Sequence, residues 1–223
     1  MTGGRARRYL VKNFTNQMRK IAESTVRRLS VYLRVLEGFG AQGRETVSSD
    51  ELAAGGGTTP AQVRKDLSFF GSFGKRGLGY SVTDLVSALR DILGLERTYR
   101  VAVVGAGKIG RALAGYRGFR DRGFHIVSIY DSDAAKVGMR MAGVTVRDAR
   151  DLETDLSRDP VDIAILATPA DVAQEILDRL VGVGVKAILN FAPVQLSHPN
   201  DVDLKHVNMA LELETLSYAL RNR

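Results

Sequence analysis

Three glycines with the spacing of a phosphate-binding loop open the second half of the chain. Residues 105–110 read GAGKIG, which matches the GxGxxG pattern of dinucleotide-binding loops. In such a loop Gly105 permits a tight turn, Gly107 lets the backbone approach a pyrophosphate, and Gly110 allows a helix to pack closely. The loop is not a Walker motif, because the GK[ST] ending is missing. The other candidate residues of this loop are Ala106, Lys108 and Ile109.

An acidic residue follows at the distance that this kind of site requires. A β-branched run at 100–104 precedes the loop, a helical stretch follows it, and a second predicted strand at 125–130 leads into Asp131, 21 residues after Gly110. A carboxylate there can accept hydrogen bonds from the adenosine ribose, and it repels a 2′-phosphate. The sequence therefore favours NAD(H) over NADP(H) as the cofactor.

Two more predicted strands, at 161–167 and 187–191, end in small or polar residues. In doubly wound sheets the carboxyl ends of the strands line the ligand crevice, so we expect both ends to contact the ribose and nicotinamide half. The alternative is that the prolines there only terminate their strands. The candidates at these two ends are Thr168, Pro169, Asn190 and Pro193.

A helix, a glycine turn and a second helix are predicted nearer the N-terminus. Ser48 and Glu51 have the spacing of a capping box, the glycines at 55–57 predict a turn, and Thr59 with Pro60 marks the next helix start. This is the outline of a helix-turn-helix, whose second helix enters the major groove of DNA. A surface helix with solvated charges is the alternative. The side chains predicted to reach DNA are Gln62, Arg64, Lys65 and Ser68.

The segments on either side complete a winged-helix pattern. An earlier helix is predicted from apolar residues that recur every three or four positions. Residues 70–82 alternate glycines with aromatic residues and predict a β-hairpin wing, with Lys75 and Arg76 placed for the minor groove. A basic tip that only aids solubility is the alternative. The apolar residues predicted to share the buried face of the earlier helix are Val26, Leu29, Leu33 and Leu36.

Charge and composition limit the classes of protein that fit. The net charge is +7, and residues 1–96 contribute +6 of it, which favours nucleic acid as a partner of that part although a solvated surface has the same charge. The chain has no cysteine, so it can form neither a disulfide nor a thiolate metal site. No apolar run is long enough to span a bilayer or act as a secretory signal, so we expect a cytoplasmic protein without a membrane partner.

Four segments are predicted: a flexible basic extension at 1–20, a winged-helix domain at 21–96, a Rossmann domain at 97–209, and a C-terminal helix at 210–223. The predicted fold class is therefore α/β. Only 14 residues remain after the Rossmann domain, which leaves no room for a substrate domain. We therefore expect the nucleotide to act as a signal and the protein not to be an enzyme. The alternatives are a small NAD-dependent oxidoreductase and a nucleotide- or CoA-binding module.

The sequence resembles the Rex family of redox-sensing transcriptional repressors over nearly all of residues 20–220. The stretches that carry the resemblance are TVRRLSVYLRVLE (25–37), PAQVRKDLSFFGSFGKRGLGY (60–80), VVGAGKIGRAL (103–113) and ILNFAP (188–193). The resemblance implies a homodimer that exchanges its C-terminal helix. It also implies that the dimer binds palindromic operator DNA when apo or loaded with NAD⁺ and releases it when NADH binds.

Site residues also follow from the resemblance. It implies DNA contacts from Arg64, Lys65 and Arg76, and it places Tyr116 near the nicotinamide. It further implies that Arg34 communicates with that site through a C-terminal aspartate, where this chain has Asn208. An amide cannot form the charge-assisted bond that a carboxylate would make with Arg34. Ala22, where the family commonly has proline, is another departure.

Overall fold

The computed structural model describes residues 21–74 and 78–222. The chain divides into two compact units, Met1–Glu96 and Arg97–Arg223. The predicted extension at 1–20 and the predicted wing-tip residues Lys75 and Arg76 lie outside the described residues. Within the described ranges, no helix is long and apolar enough to cross a membrane.

The first unit is mainly helical and packs around the face of its longest helix. Leu29, Leu33 and Leu36 are fully buried there, as predicted, but Val26 is 42% exposed. Thr25 occupies the buried face in its place, so the prediction for Val26 was wrong by one position on the helix. The elements are α1 (Glu23–Ala41), β1 (Thr46–Val47), α2 (Ser49–Gly56), α3 (Pro60–Ser68), β2 (Tyr80–Ser81) and α4 (Val82–Ile92).

Helices α2 and α3 form the predicted helix-turn-helix, with a shorter turn than the glycines suggest. Only Gly57 is left-handed, with φ of 61°, and it ends α2. Gly55 and Gly56 lie inside α2, so the prediction of a turn at these two positions was wrong. A Cβ on Gly55 would lie 2.8 Å from Val35, and one on Gly56 would lie 3.0 Å from Tyr32. These two glycines therefore allow α2 to pack closely against α1.

The segment after α3 is tied to the start of the helix-turn-helix. Strand β2 pairs antiparallel with β1, a partner that the sequence-based prediction of a local hairpin did not include. A Cβ on Gly74 would overlap the carbonyl oxygen of Gly79, so the backbones of these two residues lie in close contact. The β1–β2 pair therefore fixes the base of the predicted wing.

The second unit is a seven-stranded sheet with helices, in the strand order β5-β6-β4-β3-β7-β8-β9. All neighbours are parallel except β5 and β6. The six strands from β6 to β9 follow the 3-2-1-4-5-6 order of the Rossmann fold. The strands are β3 (Tyr99–Val104), β4 (Phe124–Asp131), β5 (Arg140–Met141), β6 (Val144–Asp148), β7 (Ile163–Leu166), β8 (Ala187–Asn190) and β9 (Asp203–His206).

The helices of this unit differ in how they are buried. One of them, α8, buries four apolar side chains and packs against the sheet, whereas α9 buries none. The large apolar side chains of α9 are 52–71% exposed. The helices are α5 (Lys108–Ala114), α6 (Arg117–Arg120), α7 (Leu152–Arg158), α8 (Ala170–Gly182) and α9 (Met209–Arg221).

A buried carboxylate on α3 joins the two helices that carry the first unit. The Asp66 side chain is fully buried and accepts hydrogen bonds from Arg28 (2.6 and 2.7 Å), Tyr32 (2.9 Å) and Gln62 (2.8 Å). Burial alone would raise the pKa of Asp66, but these hydrogen bonds outweigh it and hold the pKa below its usual value. Burial and the bond to Asp66 raise the pKa of Tyr32 to about 12. The carboxylate therefore fixes α3 against α1.

Replacing Asp66 tests this connection. Asp66→Ala should lower the free energy of unfolding by about 3 kcal/mol, because the Arg28 charge and the Tyr32 hydroxyl lose their partner. Urea denaturation of the full chain measures the change. The exposed control Asp91→Ala should change it by less than about 0.5 kcal/mol. Because the pKa of Asp66 is lowered by folding, its contribution is complete above about pH 4 and is lost as the pH falls through the lowered pKa. Equal stability of the two variants would contradict this role.

Candidate functional site

A cleft of about 750 Å³ opens where β3 ends, beside the ends of β4 and β7. The strand order reverses between β3 and β7, which is where doubly wound sheets bind their ligands. Most of the predicted cofactor residues meet here. The predicted residues that line this cleft are Gly105, Gly107, Lys108, Ile109, Asp131, Thr168 and Pro169.

The three glycines of the loop differ in what a side chain at each position would contact. Gly105 has φ of 104°, and a Cβ on it would overlap the carbonyl oxygen of Ala167 at the end of β7. A Cβ on Gly110 would overlap the carbonyl oxygen of Gly105. At Gly107, by contrast, a Cβ would meet nothing within 4 Å. The first and third glycines therefore serve the packing of the loop, and the second leaves open space on the cleft side.

Asp131 is buried at the end of β4 and is tied to the glycine loop. Its carboxylate accepts hydrogen bonds from the backbone N–H groups of Ala106 (2.7 Å) and Asp133 (2.8 Å). Burial alone would raise the pKa of Asp131, but these bonds and the nearby Lys136 ammonium hold the pKa below its usual value. Asp131 is therefore an ionised acceptor at the wall of the cleft, as a ribose-binding residue must be.

Thr168 supplies a polar group without a partner within the described structure. Its hydroxyl is buried, lines the cleft and makes no hydrogen bond there. Buried hydroxyls are costly when unpaired, so an unpaired one in a cleft indicates a position where a ligand or water bonds. This agrees with the predicted role of Thr168 at a strand end.

Five of the predicted cofactor residues do not line this cleft. One of them, Gly110, packs against the backbone of Gly105 within the loop. Ala106 is buried and offers only its N–H, which Asp131 uses. Asn190 is fully buried, and its amide bonds to Ala192, Val194 and His206 hold the loop after β8. The structure therefore gives Asn190 a loop-supporting role. The remaining two, Tyr116 and Pro193, are exposed elsewhere on the unit.

Tyr116 lies beside a smaller cavity of about 180 Å³. Its ring is 60% exposed and packs edge-on against Phe119, with 5.1 Å between the ring centroids. A nicotinamide contact by Tyr116 stays a prediction that rests on the resemblance.

The cleft also contains charged residues that sequence reasoning missed. Lys136 lies 3.2 Å from Asp131, Arg150 pairs with Asp148, and Arg179 pairs with Glu153. Arg179 also donates to the carbonyl of Ala149, a lining residue. The sequence contains a signal for Lys136, because this lysine follows the strand-ending Asp131 by five residues. A short turn after the strand can bring such a side chain back to the strand end. The contact between Arg179 and Ala149 had no local signal, since it joins two distant segments.

The outward face of α3 presents three of the four predicted DNA-binding residues. Arg64 and Lys65 are exposed, and Arg64 donates to the Ser49 hydroxyl at 2.8 Å. The Ser68 hydroxyl, also exposed, donates to the carbonyl of Lys65. The fourth residue, Gln62, bonds to Asp66 and is thereby engaged within the unit. Sequence reasoning missed Asp66, although its position three residues after Val63 put it on the buried face of the helix.

The three predicted switch residues have different surroundings. Arg34 is exposed on α1 in the first unit. The Asn208 side chain accepts a hydrogen bond from the N–H of Ala210 at 3.0 Å and so caps the start of α9. An amide at this position can thus serve helix capping, which requires no charge. A link from Arg34 to Tyr116 and Asn208 stays a prediction.

Residues 21–74 and 78–222 hold no cluster of three or more histidine, aspartate or glutamate side chains suited to a metal ion. Of the three histidines, His206 ends β9. The described residues that line the large cleft include no histidine.

A helix-turn-helix unit followed by a Rossmann unit defines the class of two-domain DNA-binding regulators that respond to a nucleotide. The family described as "Putative DNA-binding protein N-terminus" matches residues 20–68, and the "CoA binding domain" family matches residues 96–194. A redox-sensing transcriptional repressor Rex from Syntrophomonas wolfei subsp. wolfei is 48% identical over 206 residues, which cover 92% of this chain and 98% of that protein. The chain belongs to the Rex family of redox-sensing transcriptional repressors.

Solved structures agree with this assignment. A crystal structure of RSP with β-NAD⁺ and operator DNA has a TM-score of 0.87 and 40% identity, covering 91% of this chain and 93% of that one. A structure of RSP with β-NADH has a TM-score of 0.84 and 38% identity, covering 91% and 95%. The predicted family and the predicted combination of winged-helix and Rossmann folds are confirmed.

The glycine loop generates a prediction about stability. Gly110→Ala should lower the free energy of unfolding by about 3 kcal/mol, because the added Cβ overlaps a backbone oxygen that cannot move without opening the loop. The matched change Gly107→Ala adds the same atom into open space and should cost less than about 1 kcal/mol. Thermal or urea unfolding without ligand measures both. Equal losses for the two variants would show that the loop is not packed in this way.

Proposed function

We propose that this chain is a transcriptional repressor that reads the NADH/NAD⁺ ratio. In this proposal it binds palindromic operator DNA when apo or loaded with NAD⁺ and releases the DNA when NADH binds. Residues 21–96 bind DNA, residues 97–209 bind the dinucleotide, and residues 210–223 join two copies. Since its target is DNA, we assign it to the cytoplasm.

The observation that carries the proposal is the cleft at the end of β3. Its glycine loop has open space at Gly107, its wall holds the ionised Asp131, and its floor holds the unpaired Thr168 hydroxyl. A dinucleotide would use these three features for its pyrophosphate, its adenosine ribose and a further hydroxyl or phosphate oxygen. The relatives support the same ligand, because RSP is described in complexes with β-NAD⁺ and with β-NADH.

The DNA-binding part of the proposal rests on α3. Its N-cap Thr59 and its anchor Asp66 fix the helix, and Arg64 and Lys65 point their charges away from the core. Arginine and lysine suit guanine edges and phosphates in the major groove. RSP is described in complex with operator DNA, which supports a DNA-binding role for this unit.

A redox response follows from the charge of the nicotinamide. The oxidised ring is cationic and the reduced ring is neutral, so a site that removes the ring from water favours the reduced form. A dimer that reads a palindrome needs its recognition helices about 34 Å apart, one turn of DNA. A ligand that binds more tightly to a dimer with another helix spacing therefore lowers the affinity for DNA. The size of this effect is set by the difference between the ligand's affinities for the DNA-binding dimer and for the other dimer.

Enzymatic turnover is the alternative that we set aside. The histidines of the second unit lie on β4, in the loop after β8, and at the end of β9, and the cleft-lining residues in the described ranges do not include them. Hydride-transfer enzymes need a positioned acid or base, which histidine most often supplies. The relatives are named as repressors. We therefore propose that the nucleotide is bound and released unchanged.

The C-terminal helix supports the homodimer. A 13-residue helix with every side chain exposed is marginal in water, so α9 needs a surface to pack against. At 100° per residue, Met209, Leu213, Leu216 and Leu220 share one side of the helix, and Leu211 and Tyr218 lie opposite. Apolar residues on two sides suit a helix that a second copy of the chain encloses.

The repressor function predicts a selective response to NADH. A palindromic duplex that the protein selects from a random pool should be bound in a gel-shift assay, and NADH should release it at concentrations where NAD⁺ does not. Coenzyme A is added in a parallel titration, because one of the matching families is named for binding it. Release by coenzyme A alone, or no response to NADH, would contradict the proposed signal.

Two arginine variants control this assay. Arg64→Ala should weaken binding to the selected duplex about tenfold while leaving NADH affinity unchanged, because it removes one major-groove side chain. Arg158→Ala removes an exposed arginine from the other unit and should leave DNA binding unchanged. Equal DNA affinity of both variants would remove Arg64 from the interface.

The proposed dimer helix gives a separate prediction. Leu213→Glu combined with Leu216→Glu should weaken dimerisation by about 4 kcal/mol, roughly a thousandfold in the dissociation constant, because two buried leucines are lost from the interface. Sedimentation equilibrium measures the change. The exposed control Ala219→Glu lies between the two apolar sides and should affect association much less. A double variant that remains dimeric at the wild-type concentration would refute the role of α9.

A further inference from the structure

A lysine stands at the position in the cleft where the ribose hydroxyls would bind. The Lys136 ammonium lies 3.3 and 3.2 Å from the two carboxylate oxygens of Asp131 and 3.4 Å from a carboxylate oxygen of Asp133. A tight turn brings it there, because the Lys136 N–H donates to the carbonyl of Asp133 at 2.9 Å. One cation is therefore shared by two neighbouring carboxylates at the edge of the cleft.

The hydrogen-bond capacity of Asp131 is already in use. A carboxylate has about four lone-pair sites, two on each oxygen. One oxygen accepts from Asp133 N–H and Lys136, and the other accepts from Ala106 N–H and Lys136. The two N–H groups belong to the backbone and stay in place. A ribose diol that bonds to Asp131 must therefore take the positions that Lys136 holds, and the ammonium must move toward Asp133 or toward the ligand.

Stability alone is a weak reason for this ion pair. The Lys136 side chain is 33% exposed, and ion pairs of that exposure contribute little to folding. The neighbouring Arg150 is 88% exposed and directs its guanidinium to Asp148. Of Lys136 and Arg150, only Lys136 therefore pairs with Asp131, the proposed ribose-binding carboxylate.

We propose that Lys136 is a specificity-determining residue for the group at the 2′ position of the adenosine ribose. The proposal rests on the proposed binding of a dinucleotide in this cleft. Asp131 by itself would repel a 2′-phosphate, and Asp133 would add to the repulsion. With Lys136 between them, part of this negative charge is neutralised. Discrimination between NADH and NADPH is therefore set by the balance of Asp131 with Lys136 and not by Asp131 alone.

Removing the ammonium measures this balance. Lys136→Met keeps the length of the side chain and should raise the ratio of the NADPH to the NADH dissociation constant about tenfold, because two uncompensated carboxylates then face the 2′-phosphate. Fluorescence titration of the full chain with each nucleotide gives the ratio. Lys186→Met, which removes an exposed lysine that pairs with Asp201 outside the cleft, should leave the ratio unchanged. An unchanged ratio in Lys136→Met overturns the proposal.

The converse variant removes the carboxylate and leaves Lys136 without this partner. It also allows the ratio to be measured if the wild type binds NADPH too weakly to quantify. Asp131→Asn removes the partner charge, so the ratio should fall at least tenfold in favour of NADPH. Adding Lys136→Met to this variant should reverse most of the gain. A gain that persists in the double variant overturns the role of Lys136. A wild-type chain that binds neither nucleotide would instead refute the proposed function, so the two failures are distinguishable.

Discussion

The turn between β3 and α5 is the constraint on which the second unit depends. Its backbone passes so close to the end of β7 that position 105 cannot carry a side chain, and α5 starts so close to the turn that position 110 cannot either. These contacts bring the ends of β3 and β7 together with the Asp131 carboxylate, which binds the same loop through Ala106 N–H. The loop is closely packed at Gly105 and Gly110 and is open at Gly107, which lines the cleft.

Each unit also depends on one buried carboxylate. In the first unit Asp66 joins the recognition helix to α1 through Arg28 and Tyr32, and in the second unit Asp131 joins the glycine loop to the turn after β4. In both cases the hydrogen bonds outweigh the cost of burial and keep the acid ionised. A buried charge with several donors has few alternative geometries, so each carboxylate gives the element that it holds a single position.

The differences between prediction and structure have a common origin. Glycines at 55–57 have the local signature of a turn, but two of them are used for close packing of α2 on α1, which depends on Val35 and Tyr32. Asn190 ends a strand, where a ligand contact was predicted, but its amide bonds to the loop after β8 and to His206. Both predictions considered the residue and its neighbours in sequence, whereas the outcome was decided by partners distant in the chain.

The sequence by itself determined the helix-turn-helix, the dinucleotide loop, the acid at the end of β4 and the family. Such features are encoded by short-range rules, because caps, turns and glycine spacing depend on residues a few positions apart. Only the tertiary structure decided that Gln62 bonds inward to Asp66, that Arg179 supports the cleft wall at Ala149, and that Lys136 occupies the acceptor sites of Asp131. These contacts depend on where each side chain ends after the elements have packed, and side chains a few ångströms apart can exchange partners without any change in the sequence pattern.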